Sequence, residues 1–244
     1  MRRRLRFDGR TGDQIRGLFA DQGILNRADG SVRFGAGNTS VLVAVYGPAQ
    51  PAQQKKEKPD RAIIEVSWRA DKGAQTSADA ERELYVRRTL EEAVAVARYP
   101  RSVISVVVQV LCDDGSVLSA AINACAMALV DAGVEMIGMP VAATACFSGS
   151  GSAAAAAPEQ LQHLGESHLQ LDPSASEEAT TRATVMLAVL AGSDGILTMK
   201  MTGQLGAEEL FAASEAARKA CDAVSVYLRR AVEAKVLRDV ANLQ

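Results

Sequence analysis

Asp114-Gly115-Ser116-Val117-Leu118, running into Ser119-Ala120-Ala121-Ile122-Asn123-Ala124, is the stretch on which the reading of this chain turns. From about Ser119 to Ala132 the residues are small and apolar all round, with Gly133 as a C-terminal stop. That composition predicts a helix buried on every side, central to the fold. Ahead of it, Gly115-Ser116 offers backbone N–H groups, and Ser116 and Ser119 offer two hydroxyls, the groups with which a helix N-terminus holds an anion. Val117 and Leu118 stand between them and have no side-chain donor. The stretch therefore combines the backbone of an anion site with side chains unsuited to one.

Outward from this helix, the pattern alternates between strands and two more helices. Ala28-Asp29-Gly30-Ser31 reads as a turn, Gly35, Gly37 and Asn38 as the turn between two strands, and Thr39 to Tyr46 as a strand stopped by Gly47-Pro48. Gln50 to Asp60 is a polar loop, and Ala62 to Trp68 a strand whose alternation sets Ile63, Glu65 and Ser67 opposite Ile64, Val66 and Trp68. Val103 to Leu111 is almost continuously apolar, which predicts cover on both faces. Thr76-Ser77-Ala78-Asp79 has capping-box spacing and opens a helix to about Arg98, with Val86, Leu90, Ala93, Val94 and Ala97 as its stripe and Pro100 beyond its end. Val141 to Phe147 is a strand, and Ala183 to Leu190 with Ile196 to Thr202 make a hairpin. The last helix runs from about Ala207 past Arg230. The segment at about 148–167, with its glycines, serines and five successive alanines, reads as a low-complexity hairpin insertion. The whole, residues 1–244, is expected to be one domain: an α/β (α+β) sandwich of mixed sheets packed on three main helices.

Composition narrows the function classes. A chain of 244 residues that is 48% hydrophobic suffices for one large core. The four cysteines are far apart without C-x-x-C spacing, which argues against disulfides and zinc and for a reducing compartment. No run has the length of a membrane span, so no membrane partner is expected. With a net charge of −2, RNA contact must come from local clusters such as Arg2 to Arg6 or Lys55-Lys56-Glu57-Lys58. His163 and His168 lack partners at metal-ligand spacing and read as solvated loop residues. Trp68 reads as core, and with only 4% aromatic residues an extended base-stacking platform is not expected.

Several short motifs occur in a fixed order: Arg6-Phe7-Asp8-Gly9-Arg10, Ala28-Asp29-Gly30-Ser31, Gly37-Asn38-Thr39, Ala44-Val45-Tyr46-Gly47-Pro48, the loop at Asp114, and Leu129-Val130-Asp131-Ala132-Gly133-Val134. In this order they resemble the RNase PH family of phosphate-dependent exoribonucleases across nearly the whole chain. The resemblance implies an RNase PH-like fold and, where catalytic, attack of orthophosphate on the last phosphodiester of an RNA 3′ end. The family loop reads Asp-Gly-Gly-Thr-Arg, so Val117 and Leu118 stand where its phosphate-holding Thr and Arg belong. Losing one such preorganised donor is worth roughly 10²–10³ in rate. Ser116 and Ser119 remain as phosphate-binding candidates.

The family's two acidic positions fall on Glu178, the catalytic candidate, and on Thr184, which is not acidic. The competing reading makes Glu177 and Glu178 a solvated acidic loop. Arg69, Lys72, Gln75, Arg82, Arg87 and Arg88 are the RNA-binding candidates, although Arg87 with Glu91 and Arg88 with Glu92 are also i,i+4 helix-surface pairs. No cofactor is implied for binding, whereas catalysis would require phosphate and a divalent ion such as Mg, whose ligands the sequence leaves unknown. The implied partners are RNA and other RNase PH-like subunits of the RNA exosome in a six-membered ring, with residence in nucleus and cytoplasm. Two activities stay open: a non-catalytic or weakly catalytic ring subunit guiding RNA for 3′-to-5′ degradation and processing, or a stand-alone homodimeric nuclease that is phosphate-dependent or metal-dependent.

Overall fold

The computed structural model describes residues 6, 8–50, 58–71, 73, 75–148 and 168–242. Lys72, the Lys55-Lys56-Glu57 run, Arg2 to Leu5 and nearly all of the 148–167 insertion, His163 included, lie outside them.

A five-stranded sheet has the order β1-β2-β3-β5-β4, built from β1 (Leu18–Gln22), β2 (Gly30–Ala36), β3 (Thr39–Ala49), β4 (Ile63–Arg69) and β5 (Val103–Cys112). β2 and β3 form a hairpin about Gly37, whose φ of +59 favours glycine. β4 and β5 are parallel, joined through α1 (Ser77–Ala93), while the other neighbours are antiparallel. After α2 (Val117–Asp131) comes a four-stranded sheet of order β7-β6-β8-β9, made of β6 (Pro140–Ser148), β7 (His168–Leu171), β8 (Thr181–Leu190) and β9 (Ile196–Gly203). The short α3 (Ala175–Glu178) precedes β8, and α4 (Ala207–Asn242) packs on β6 and β8.

α2 is the centre, as its sequence predicts: every residue from Val117 to Leu129 is buried, and the helix touches β2 and β3 on one side and β6 on the other. Its small side chains let backbones approach closely. A Cβ on Gly30 of β2 would lie 2.3 Å from the Ala128 carbonyl oxygen, so that position accepts only glycine. Asn123, the one amide in the helix, receives a hydrogen bond from the Ala142 N–H (2.8 Å) and donates to the Ala142 carbonyl (2.9 Å), pinning α2 to β6. Both bonds are buried, and losing one partner costs about 1–3 kcal/mol per group left unpaired.

Five expectations change. β3 runs through Gly47 and Pro48 to Ala49, which pairs with Val103 across an irregular register, instead of stopping at them. The capping box at Thr76 and Asp79 is present, but α1 ends at Ala93 rather than Arg98. Val94 turns extended and bridges to Met136, Ala95 N–H donates to the Glu135 carbonyl, and only a 3₁₀ turn follows at Val96–Arg98. The backbone thus finds better partners outside the helix. β5 is covered on one face only: Ile104, Val106, Val108 and Val110 are core, whereas Val103, Ser105, Val107 and Gln109 are half-buried. Its run of valines reflects strand propensity more than two-sided burial. α2 starts at Val117, two residues early, which brings Val117 and Leu118 into its buried first turn. His168 opens strand β7 instead of lying in a loop. Trp68 is core, 1% exposed, with the Arg82 guanidinium 5.8 Å from its ring centre.

Candidate functional site

The loop between β5 and α2 is held by a lattice of charges. Gly115 has φ +82, and a Cβ there would sit 2.5 Å from the Pro173 carbonyl oxygen, so glycine is required. Ser116 follows in the left-handed region at φ +55. Arg16, buried, spans the loop from the other side. It donates to both Asp172 carboxylate oxygens (2.9 and 2.7 Å) and to the carbonyls of Asp114 (2.7 Å) and Gly115 (3.1 Å), and its own backbone N–H donates to Asp172 as well. Thr39 at the start of β3 completes the cradle, donating to the Gly115 carbonyl at 2.7 Å.

A second arginine locks the segment after β7. Arg6 donates to the Leu171 carbonyl (2.6 Å) and to Glu177 through Nε (2.7 Å), with a further close contact from Nη2 to the same carboxylate. Glu177 also accepts from the Ser174 N–H (2.9 Å) in the capping box of α3. Burial raises the Glu177 carboxyl, but the bonds from Arg6 and Ser174 outweigh it and hold it at about 2. Burial likewise acts to raise Asp172, and Arg16 turns the net shift downward.

Glu178 does something different. Its Oε1 accepts from the Ser116 N–H at 2.7 Å, so this carboxylate occupies the amide that opens α2. Burial raises its pKa, the Ser116 bond opposes that, and nearby Asp113 adds repulsion, leaving the carboxyl above its ordinary value. The hydroxyls beside it face inward: Ser116 Oγ donates to the Pro173 carbonyl (3.1 Å), and Ser119 Oγ donates to the Ser116 carbonyl (2.8 Å) while accepting from Thr144 (3.2 Å). Both serines are buried, as are Val117 and Leu118. The N-terminus of α2 is thus filled from within by a carboxylate, two satisfied hydroxyls and two core side chains.

The structure brings Glu178, Ser116 and Ser119 to one point. The solvated-loop reading of Glu177 and Glu178 does not hold, because both are half-buried and fixed by named partners. Arg82 reaches the edge of the site, with Nη1 3.1 Å from Asp79 and Nη2 3.8 Å from Asp113. Gln75 donates to Glu83 at 3.3 Å. Arg69, at the end of β4 opposite Gln109, is exposed. Arg87 and Arg88 are exposed on α1, and among the described residues neither forms its i,i+4 ion pair with Glu91 or Glu92. Arg88 instead lines an open cleft with Tyr85 and Thr198. Thr184, on β8, adds no carboxylate, and among the described residues no cluster of three His, Cys, Asp or Glu side chains could hold a metal ion.

Sequence reasoning gave no role to Arg16, Asp172 or Thr39 and offered Arg6 only as part of a cluster for RNA contact, whereas Arg6 is buried and these four residues build the loop's frame. Arg6 and Asp172 lie in recognisable motifs. The pairing of Arg16 with Asp172, 156 positions apart, has no local signal.

Fold and site together define a two-sheet α/β scaffold whose central helix opens on an anion-type loop. The 3′ exoribonuclease family model for domain 1 matches residues 14–135, and the model for domain 2 matches residues 138–220. The chain belongs to this RNase PH family. It is 32% identical over 242 residues to the "Exosome complex exonuclease RRP46 homolog" of Arabidopsis thaliana, covering 92% of this chain and 94% of that one. It is also 32% identical over 239 residues to the "Exosome complex component Rrp41" of Methanopyrus kandleri, covering 95% and 93%. The crystal structure of rice (Oryza sativa) Rrp46 superposes with a TM-score of 0.81 at 31% identity, covering 93% of this chain and all of that one. Within the family, Asn123 to Gly133 and Leu171-Asp172-Pro173-Ser174 are similar to exosome component 5, the Rrp46 type of subunit.

Proposed function

We propose that this chain is an Rrp46-type ring subunit of an RNA exosome, which assembles with other RNase PH-like subunits and guides RNA without phosphorolysis of its own. The single observation that carries the reading is the Glu178 carboxylate on the Ser116 N–H at 2.7 Å, above the buried Val117 and Leu118. Phosphorolysis brings two anions together and depends on donors that offset their repulsion. Here the helix terminus already holds an anion, and α2 itself carries no arginine. Relatives named as exosome components support the assembly part of the reading, and residence in nucleus and cytoplasm is part of the same proposal.

A second reading, a homodimeric nuclease, has one observation in its favour. Glu178 is half-buried with a raised pKa beside Asp113, as a general acid is. Co-expression with RNase PH-like ring subunits, followed by native mass spectrometry, separates the two. A six-membered ring containing this chain is expected, and a homodimer that excludes those subunits overturns the assembly reading.

A further inference from the structure

One face of α4 is core: Ala217, Val224 and Leu228 are buried, and the helix packs on β6 and β8. At 3.6 residues per turn the opposite face carries Ala223, Val226, Arg230, Glu233, Leu237 and Val240, all exposed. Leu237 is 70% exposed, Val240 51% and Val226 49%, so three branched apolar side chains stand in solvent along one stripe. The steps along it alternate between three and four residues, the spacing of a coiled-coil seam. At its centre lie Arg230 and Glu233, and among the described residues neither forms an ion pair. Exposed apolar residues scattered singly are ordinary, but these fall on one seam with opposite charges at its middle.

We propose that this stripe binds a second copy of the chain, two α4 helices packing antiparallel about a two-fold axis that passes between Ala231 and Val232. Seen from that point the stripe is its own complement. Val226 and Leu237 are equidistant from it, as are Arg230 and Glu233, and Ala223 and Val240. In a closed two-fold contact residue i meets j while j meets i, so Arg230 of each copy faces the partner's Glu233, and Val226 faces the partner's Leu237. A parallel pairing in register would set arginine on arginine and glutamate on glutamate, and that repulsion selects the antiparallel arrangement. The charged layers at the centre fix the register at a cost in stability. From Ala223 to Val240 the seam is about 26 Å long, so the pairing belongs to the small, transient class of interfaces. The inference goes beyond the assembly reading above and does not depend on it. In a ring with one copy of this chain, the contact would link two rings.

The test is sedimentation velocity of the full chain over a micromolar concentration series, with Arg230→Glu, Glu233→Arg and an equal mixture of the two variants. The unmodified chain is expected to pass from one copy to two as concentration rises. Arg230→Glu alone leaves only carboxylates at the centre of the seam and Glu233→Arg alone only guanidiniums, so each should raise the dissociation constant about tenfold or more. Mixing the two variants restores opposite charges across the axis and should bring the dimer back, which a loss of folding would not allow. A dissociation constant unchanged in either single variant overturns the proposal, since a homodimer on any other surface is indifferent to these charges. Single variants that stay monomeric when mixed overturn it also. An unmodified chain that is monomeric throughout overturns it and leaves the stripe to a helix of another protein.

Discussion

The two sides of the Asp114–Ser116 loop are built on opposite principles. On one side Arg16 and Asp172 bury a bidentate ion pair with nearly every donor used, and Arg6 and Glu177 repeat the arrangement next to it. On the α2 side Val117 and Leu118 are buried among apolar neighbours, and the charge on the helix terminus is the chain's own Glu178. The frame around the loop is thus polar and paired, while the side chains that open α2 are core. In this protein the loop is a structural joint between the N-terminal segment, α2 and the corner after β7.

Breaking the frame should have the largest effect. Arg16→Met leaves Asp172 buried without its partner and should destabilise the fold by about 3–5 kcal/mol in chemical denaturation. A loss below about 1 kcal/mol would show that the lattice is incidental. Next comes the apolar side. Leu118→Arg puts a charge where 8% of the residue is exposed and should cost about 2 kcal/mol or more, seen as a lower midpoint. If Leu118→Arg is neutral, the α2 side is less sealed than its burial indicates. Phosphorolysis should become appreciable only when Val117→Thr and Leu118→Arg are combined with Thr184→Asp.

Acid should expose the same contrast. The folded pKa values of Glu177 and Asp172 are depressed, so the stability they contribute is present above the ordinary carboxylate range and is lost as pH falls towards about 2. Thermal midpoints should therefore fall from about pH 4.5 downward, and Arg6→Gln should lower the midpoint at neutral pH and make that fall shallower, because without its arginine Glu177 titrates more alike in the folded and unfolded states. Identical profiles for the two proteins would remove Arg6 from the account. The smallest effect belongs to Glu178→Gln, which keeps an acceptor for the Ser116 N–H. Because the folded pKa of Glu178 is raised, the stability it lends is fullest at low pH and declines as pH rises through that value. The variant should therefore gain on the wild type with rising pH, and by no more than about 1 kcal/mol.

Much of the fold is legible locally. The all-small α2 announces its own burial, the Thr76 capping box marks the start of α1, and the alternation in β4 gives its two faces. The short strands Leu18–Gln22 and His168–Leu171 carry too little periodicity to be seen, and the end of α1 depends on Glu135 to Ile137, some forty positions away. The site is legible only in its sequence motifs. That Ser116 and Glu178 touch, and that two arginines near the N-terminus hold the corner after β7, are matters of tertiary placement that no local pattern encodes.

The most direct measurement is release of nucleoside diphosphates from single-stranded RNA by the purified protein, with phosphate and magnesium, against a magnesium-only control. The account predicts no release above the control. Phosphate-dependent release would contradict it, because an anion would then have to reach a helix terminus that Glu178, Val117 and Leu118 fill.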